Sequence, residues 1–202
     1  MLKKTILLFA LLIINAKLIS AQTLSIGPMA GINVSTLTAA PNTKGLLGVS
    51  IGGFLNYSVN EHVGLGAKVM FTQLGSSYTF NGDINRLNYI QVPLTAIYYF
   101  GDGGNQFRPK IFAGPYFGAL LRANHKSGDE VLGTDKQPYY NKTDIGGLVG
   151  AGFNYRIKSR TWLNVDAGLG KSFTDITKTT DNVYRNLSFS LNVGVSFPVG
   201  ND

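Results

Sequence analysis

Cysteine is absent from the 202 residues, which excludes disulfide cross-links and a lipid anchored on an N-terminal cysteine. Histidine occurs twice, at His62 and His125, too far apart in the expected topology to share a metal ion. Charged residues make up only 14% of the chain, and its 18 lysines and arginines are dispersed, with no basic run of the kind that binds nucleic acid. Beyond the N-terminal segment no apolar run reaches the roughly 18 residues a membrane helix requires. A chain of this kind enters a bilayer only as a closed barrel, because closure alone satisfies every backbone N–H and C=O away from water.

The first 21 residues differ from the rest. Lys3 and Lys4 precede an apolar core from Ile6 to Ile14, and Ser20 and Ala21 form a small-residue junction before Gln22. That order predicts a secretory signal peptide over 1–21, cleaved near Ala21, and one domain over 22–202. Removing 1–21 takes away Lys3, Lys4 and Lys17 and no acid, so the formal charge of +7 falls by three.

What the remaining chain has in quantity is glycine, 25 residues in all, and aromatics, 11% of the total. Glycine is poor in helices and aromatics suit a pleated surface, so the composition favours strands joined by turns. The clearest strand is 185–199. Leu187, Phe189, Leu191, Val193, Val195, Phe197 and Val199 alternate with Asn186, Ser188, Ser190, Asn192, Gly194 and Ser196, a period of two with one apolar and one polar face. The same alternation marks 24–35, 47–59, 62–73, 87–100, 110–122, 144–157 and about 162–170. Eight consecutive strands with local connections predict an all-β, eight-stranded antiparallel up-and-down transmembrane β-barrel.

The connections alternate in length. Those around Asn60, Gly103 and Ser159 read as short; 36–45, 74–86, 123–143 and 174–184 read as long and polar. Outer-membrane barrels carry short turns at the periplasmic end and long loops outside, which would put both termini in the periplasm. Tyr57, Tyr98, Tyr99, Phe100, Tyr155, Trp162 and Phe197 flank the short turns, and Phe71, Tyr78, Phe80, Phe173 and Tyr184 lie toward the loops, as two aromatic girdles would.

Within the strands, Lys68, Lys110, Arg122, Asp144, Arg156 and Asp166 all fall on the Gly/Ser/Asn face. A soluble carrier barrel would turn that face to water and crowd its large apolar side chains inward, where eight strands leave little room. The charged face is therefore expected inside, with the four cations pairing with Asp144, Asp166 and neighbouring amides, because unpaired buried charge is expensive. Lys110 and Arg156, near the rim, are expected to meet water. A continuous pore is not expected from so narrow a barrel.

No catalytic, cofactor or metal site emerges. Gly147, Gly150 and Gly152 precede no helix and lack the amide cradle of a phosphate loop. Lys126, Ser127 and Gly128 have no partnering serine–lysine motif. His125, Asp129, Asp135 and Ser127 supply the letters of a hydrolase without its spacing.

Five segments together resemble the PorT-like outer-membrane β-barrel family, also described as the outer-membrane protein β-barrel domain: GPMAGINVSTL from Gly27, LNYIQVPLTAIYYF from Leu87, KIFAGPYFGALL from Lys110, DIGGLVGAGFNYRI from Asp144, and the closing strand. The resemblance implies an integral outer-membrane barrel without catalytic residues or cofactor, in a family some of whose members are associated with protein secretion. Its expected partners are the lipid bilayer and other envelope or secretion proteins. In this light Pro93 and Pro115 are expected to mark bulges or bends, and Gly114 and Gly118 to allow close approach. The role expected is a structural or interaction component of the envelope; the alternative is binding or transport of a small ligand at the loop end.

Overall fold

The computed structural model describes residues 23–40, 42–80, 82–133, 136–178 and 182–199; the expected signal peptide, 1–21, lies outside them. Each alternating segment forms a strand: β1 (Thr23–Thr38), β2 (Thr43–Ser58), β3 (Val63–Tyr78), β4 (Ile84–Tyr99), β5 (Phe107–Asn124), β6 (Thr143–Lys158), β7 (Thr161–Ser172) and β8 (Arg185–Val199). Each pairs antiparallel with its neighbours in sequence, and β1 pairs with β8, from Leu24↔Val199 to Thr38↔Arg185, to close the barrel. Closure removes both sheet edges, the feature a bilayer demands.

The faces divide as the alternation predicts. Ile32, Ile51, Leu65, Val69, Val149, Leu169, Phe189 and Leu191 are exposed on the outer wall, while Asn33, Ser50, Asn56, Thr72, Thr95, Asn164 and Ser196 are buried inside. An apolar exterior around a polar interior inverts a soluble protein and matches a lipid solvent. Of the rim aromatics, Tyr98, Phe100, Tyr155 and Phe197 face out, but Tyr99 is only 2% exposed and turns into the lumen.

The wall extends beyond the apolar alternation. Much of 36–45 and 74–86, expected as loop, is strand, and the connections at that end are 39–42, 79–83, 125–142 and 173–184, against 59–62, 100–106 and 159–160 at the other. Thr36, Thr38, Ser76 and Ser77 continue the hydrogen-bond ladder without supplying an apolar face. The hydrophobic pattern ends before the pairing does, because only the lipid-facing part of a wall needs apolar side chains.

Three irregularities adjust the register among the described residues, one of them where β6 meets β7 between Arg156 and Lys158. Another lies in β2 between Gly45 and Ser50. In β5, Leu120 faces Tyr89 and Arg122 faces Asn88, so Leu121 is an extra residue and every side chain beyond it changes face. Neither expected proline bulge forms: Pro93 sits opposite Tyr116 and Pro115 opposite Gly147, in unshifted register.

Candidate functional site: a two-tier lumen and its cap

The lumen is filled in tiers, and glycines make the filling possible. A Cβ on Gly150 would lie 2.4 Å from the Phe112 ring, and one on Gly146 2.4 Å from the Tyr116 hydroxyl. The two aromatics thus lean from β5 into space that β6 leaves open. Gly114 is confined against the Leu94 carbonyl at 1.9 Å, whereas a Cβ on Gly118 would make only a tight contact, 3.2 Å from the Asp144 carbonyl.

The tier nearer the short turns is ionic. Asp166 on β7 accepts from Lys68 Nζ at 2.7 Å on one carboxylate oxygen and from Lys110 Nζ at 2.8 Å on the other. Lys68 also lies 5.4 Å from the centroid of the Phe112 ring, a cation–π contact. Lys110, expected to meet water at the rim, is 3% exposed, its ammonium turned inward to Asp166. Two lysines share one carboxylate, so the tier carries one excess positive charge.

The tier nearer the long loops contains an acid and no cation. Asp144 on β6 is fully buried. One of its oxygens accepts from Asn186 Nδ2 at 3.0 Å and from the Tyr116 hydroxyl at 3.4 Å. Tyr116 is in turn 3.1 Å from Ser172 Oγ, which accepts the Asn186 backbone N–H at 3.1 Å. These neutral donors do what the expected arginines do not. Arg122, placed inward by simple alternation, is exposed on the outer wall, turned there by the extra residue Leu121. Arg156 remains at the short-turn rim, donating to the Gly104 carbonyl at 2.9 Å and stacking 5.5 Å from the Trp162 ring. The six charged residues therefore separate into one ion triad, one isolated acid and two cations outside the network.

Between the tiers lies a cavity of about 80 Å³, lined by Lys68, Gln91, Tyr116, Asp166 and Asn192 among others. Above the upper tier the mouth is closed. Leu37, Leu74, Leu87, Tyr89 and Ala123 from the wall pack with Val131, Tyr140 and Ile176 from the two longest loops into one buried apolar cluster. Tyr140 donates no charge here: burial pushes its phenol well above the ordinary range, and its hydroxyl accepts from Asn85 Nδ2 at 2.9 Å. Asn141 Nδ2 ties the loops together through the carbonyls of Asp175 and Thr177, at 3.0 and 2.7 Å.

Outside the cap, His125 Nδ1 lies 3.2 Å from Asp83 Oδ2 across two loops. The Ile84 backbone N–H foremost, then the Lys126 N–H and His125, hold the Asp83 carboxyl below its usual range. His62 is at the opposite end, beside the Tyr99 carbonyl at 3.3 Å. Ser127 bonds Asp129 at 2.8 Å in an exposed turn, and Asp135 lies outside the described residues.

Sequence reasoning missed the cap. Its loop contributors have no periodic signal; the available hint was Val131, Tyr140 and Ile176 standing as apolar residues in polar surroundings. The upper tier was half visible, since Asn186 lies on the polar face of 185–199, but nothing distinguished it from other lumen residues, and Ser172 falls beyond the alternation of 162–170.

Comparison with known proteins agrees with this geometry. Neisserial surface protein A has a similar fold, with a TM-score of 0.56 and 16% identity, 86% of this chain matching 96% of that one. The outer membrane protein OprG from Pseudomonas aeruginosa also gives a TM-score of 0.56, at 15% identity, with 90% and 97% covered. At such identities the likeness is one of fold. No curated protein matches the chain. The family described as outer membrane protein beta-barrel domain matches residues 20–178, most of the chain, and to that family of integral outer-membrane barrels the protein belongs.

Proposed function

We propose that this protein is a non-catalytic structural or interaction component of the outer membrane, closed to flow through its lumen and of the PorT-like type that assists protein secretion. In this reading 1–21 is a signal peptide removed near Ala21. The short turns then face the periplasm, and the loops 125–142 and 173–184 form the outward interaction surface. The observation that carries the proposal is the capped mouth: eight buried side chains from wall and loops fill it, above a cavity of about 80 Å³. Ligand pockets span about 300–1,000 Å³, so the cavity argues against the alternative of a small-ligand transporter.

Planar-bilayer recording tests closure. The purified protein is expected to give no steady conductance, and reproducible single-channel steps would overturn the reading. An envelope partner that copurifies with the full chain and is lost when 125–142 is shortened would support the interaction role. Secretion unchanged in cells lacking the protein would remove the secretion part, and an N-terminus other than Gln22 would revise the cleavage site.

A further inference from the structure

The short-turn end has a built cavity that the closed-barrel reading does not use. It is a vestibule of about 340 Å³, with more polar than apolar lining, bounded by Tyr99, Arg108, Asn154, Arg160, Trp162 and Glu61 among others. Its volume falls within the range of small-molecule pockets, about 300–1,000 Å³. Tyr99 forms part of its inner wall, with the Arg108 guanidinium 4.6 Å from the ring centroid.

The cations at this end are under-used. Arg108 donates to the backbone carbonyl of Glu61, and its Nε is buried without a hydrogen-bond partner. Arg156 likewise donates to a carbonyl, that of Gly104, and stacks on Trp162. Among the described residues neither guanidinium lies in a salt bridge. Arg108, Arg156 and Lys158 have only Glu61 and Asp102 as acids among the described residues of this end, and the Lys68–Asp166–Lys110 tier, with two lysines on one carboxylate, lies deeper in the lumen. A guanidinium held against an aromatic ring with donors unspent is preorganised for an oxyanion, which takes two parallel N–H bonds from it. Asn154 adds a buried Oδ1 with no partner, an acceptor for a donor on the same ligand. A phosphate group has both parts, oxygens for the arginine and, when singly protonated, a P–OH for Asn154; a simple carboxylate ion has only the first.

We infer that the vestibule is a binding site for a small oxyanion of the phosphate class, with Arg108 as its principal donor and Asn154 as the acceptor for a protonated oxygen. The site belongs to the short-turn end and does not depend on passage through the lumen.

The test uses the full barrel in non-ionic detergent at constant ionic strength. Trp162, the chain's single tryptophan, lines the vestibule and reports on it by fluorescence. Titration with inorganic phosphate is expected to give a saturable change, with chloride giving none and acetate binding at least tenfold more weakly. Arg108→Gln is expected to weaken phosphate at least tenfold, and Lys171→Gln, at the far end of β7, to leave it unchanged. Heat-dependent electrophoretic migration establishes that each variant is folded; should Arg108→Gln not fold, Arg108→Lys, which keeps the charge but loses the paired N–H geometry, carries the same expectation of weaker binding. A linear or absent response in the wild type, an equal response to chloride, or undiminished binding in the folded arginine variant would overturn the site. Acetate binding as tightly as phosphate would overturn the assignment to the phosphate class.

Discussion

The two buried acids of the lumen lie on adjacent strands and live in opposite environments. Asp166 is bracketed by two lysines at 2.7 and 2.8 Å, whereas Asp144 is held by the Asn186 amide and the Tyr116 phenol, with no cation among the described residues. The lower tier pairs two lysines with one carboxylate, while the upper tier surrounds its carboxyl with neutral donors. The same residue type therefore does two jobs. At Asp166 the charge is the interaction; at Asp144 the lone pairs are.

Neutralising each acid breaks this comparison, and the largest effect is expected at the ion triad. Asp166→Asn leaves Lys68 and Lys110 without a counter-charge, and orphaning a buried ion typically costs about 3–5 kcal/mol. The loss is read from equilibrium urea unfolding in a lipid or detergent host. Adding Lys110→Met to Asp166→Asn is expected to recover part of it by removing one orphaned charge; a further loss would show that Lys110 acts through packing instead.

On the outer wall, Leu191→Arg places a charge against lipid and is expected to cost about 2–4 kcal/mol. Leu191 faces outward between Ile32 and Ala167. A cost near zero would mean that this stretch of wall is not in the bilayer.

Asp144→Asn comes next and is expected to change stability by no more than about 1 kcal/mol in either direction. The amide keeps an acceptor oxygen for Asn186 and Tyr116, and burying it costs less than burying a carboxylate. The smallest effect belongs to the loops. His125→Ala removes a half-exposed contact with Asp83, and such pairs contribute about 0–1 kcal/mol. Because the Asp83 carboxyl is held below its ordinary value of 3.8, its contribution is present above that pH and lost as pH falls through the lower, folded value. Protease cleavage in 125–142 should accordingly rise as the pH falls below the ordinary carboxylate range.

How much of this was legible in the sequence differs between wall and filling. The wall was readable because period two is a local property: Arg185 to Val199 declares both faces without reference to any other strand, and its pairing with β1 follows from closure. Arg122 shows the limit. One extra residue at Leu121 reverses a face, and nothing in ALLRAN announces where that residue will fall, since the register is set by pairing with Asn88 and Tyr89 on β4. Of the six charges expected in the lumen, Lys68, Lys110, Asp144 and Asp166 lie there, but which acid meets which cation depends on how eight strands stagger around the barrel, a property of no single strand. The cap was least legible, because Val131, Tyr140 and Ile176 meet only through long-range packing of irregular loops.

The central claim is that the two tiers are held by different physics, and it is tested most directly by measuring Asp166→Asn and Asp144→Asn side by side in one unfolding host. The account predicts a loss of about 3–5 kcal/mol for the first and a change within about 1 kcal/mol for the second. Equal losses, or the larger loss at Asp144, would contradict it.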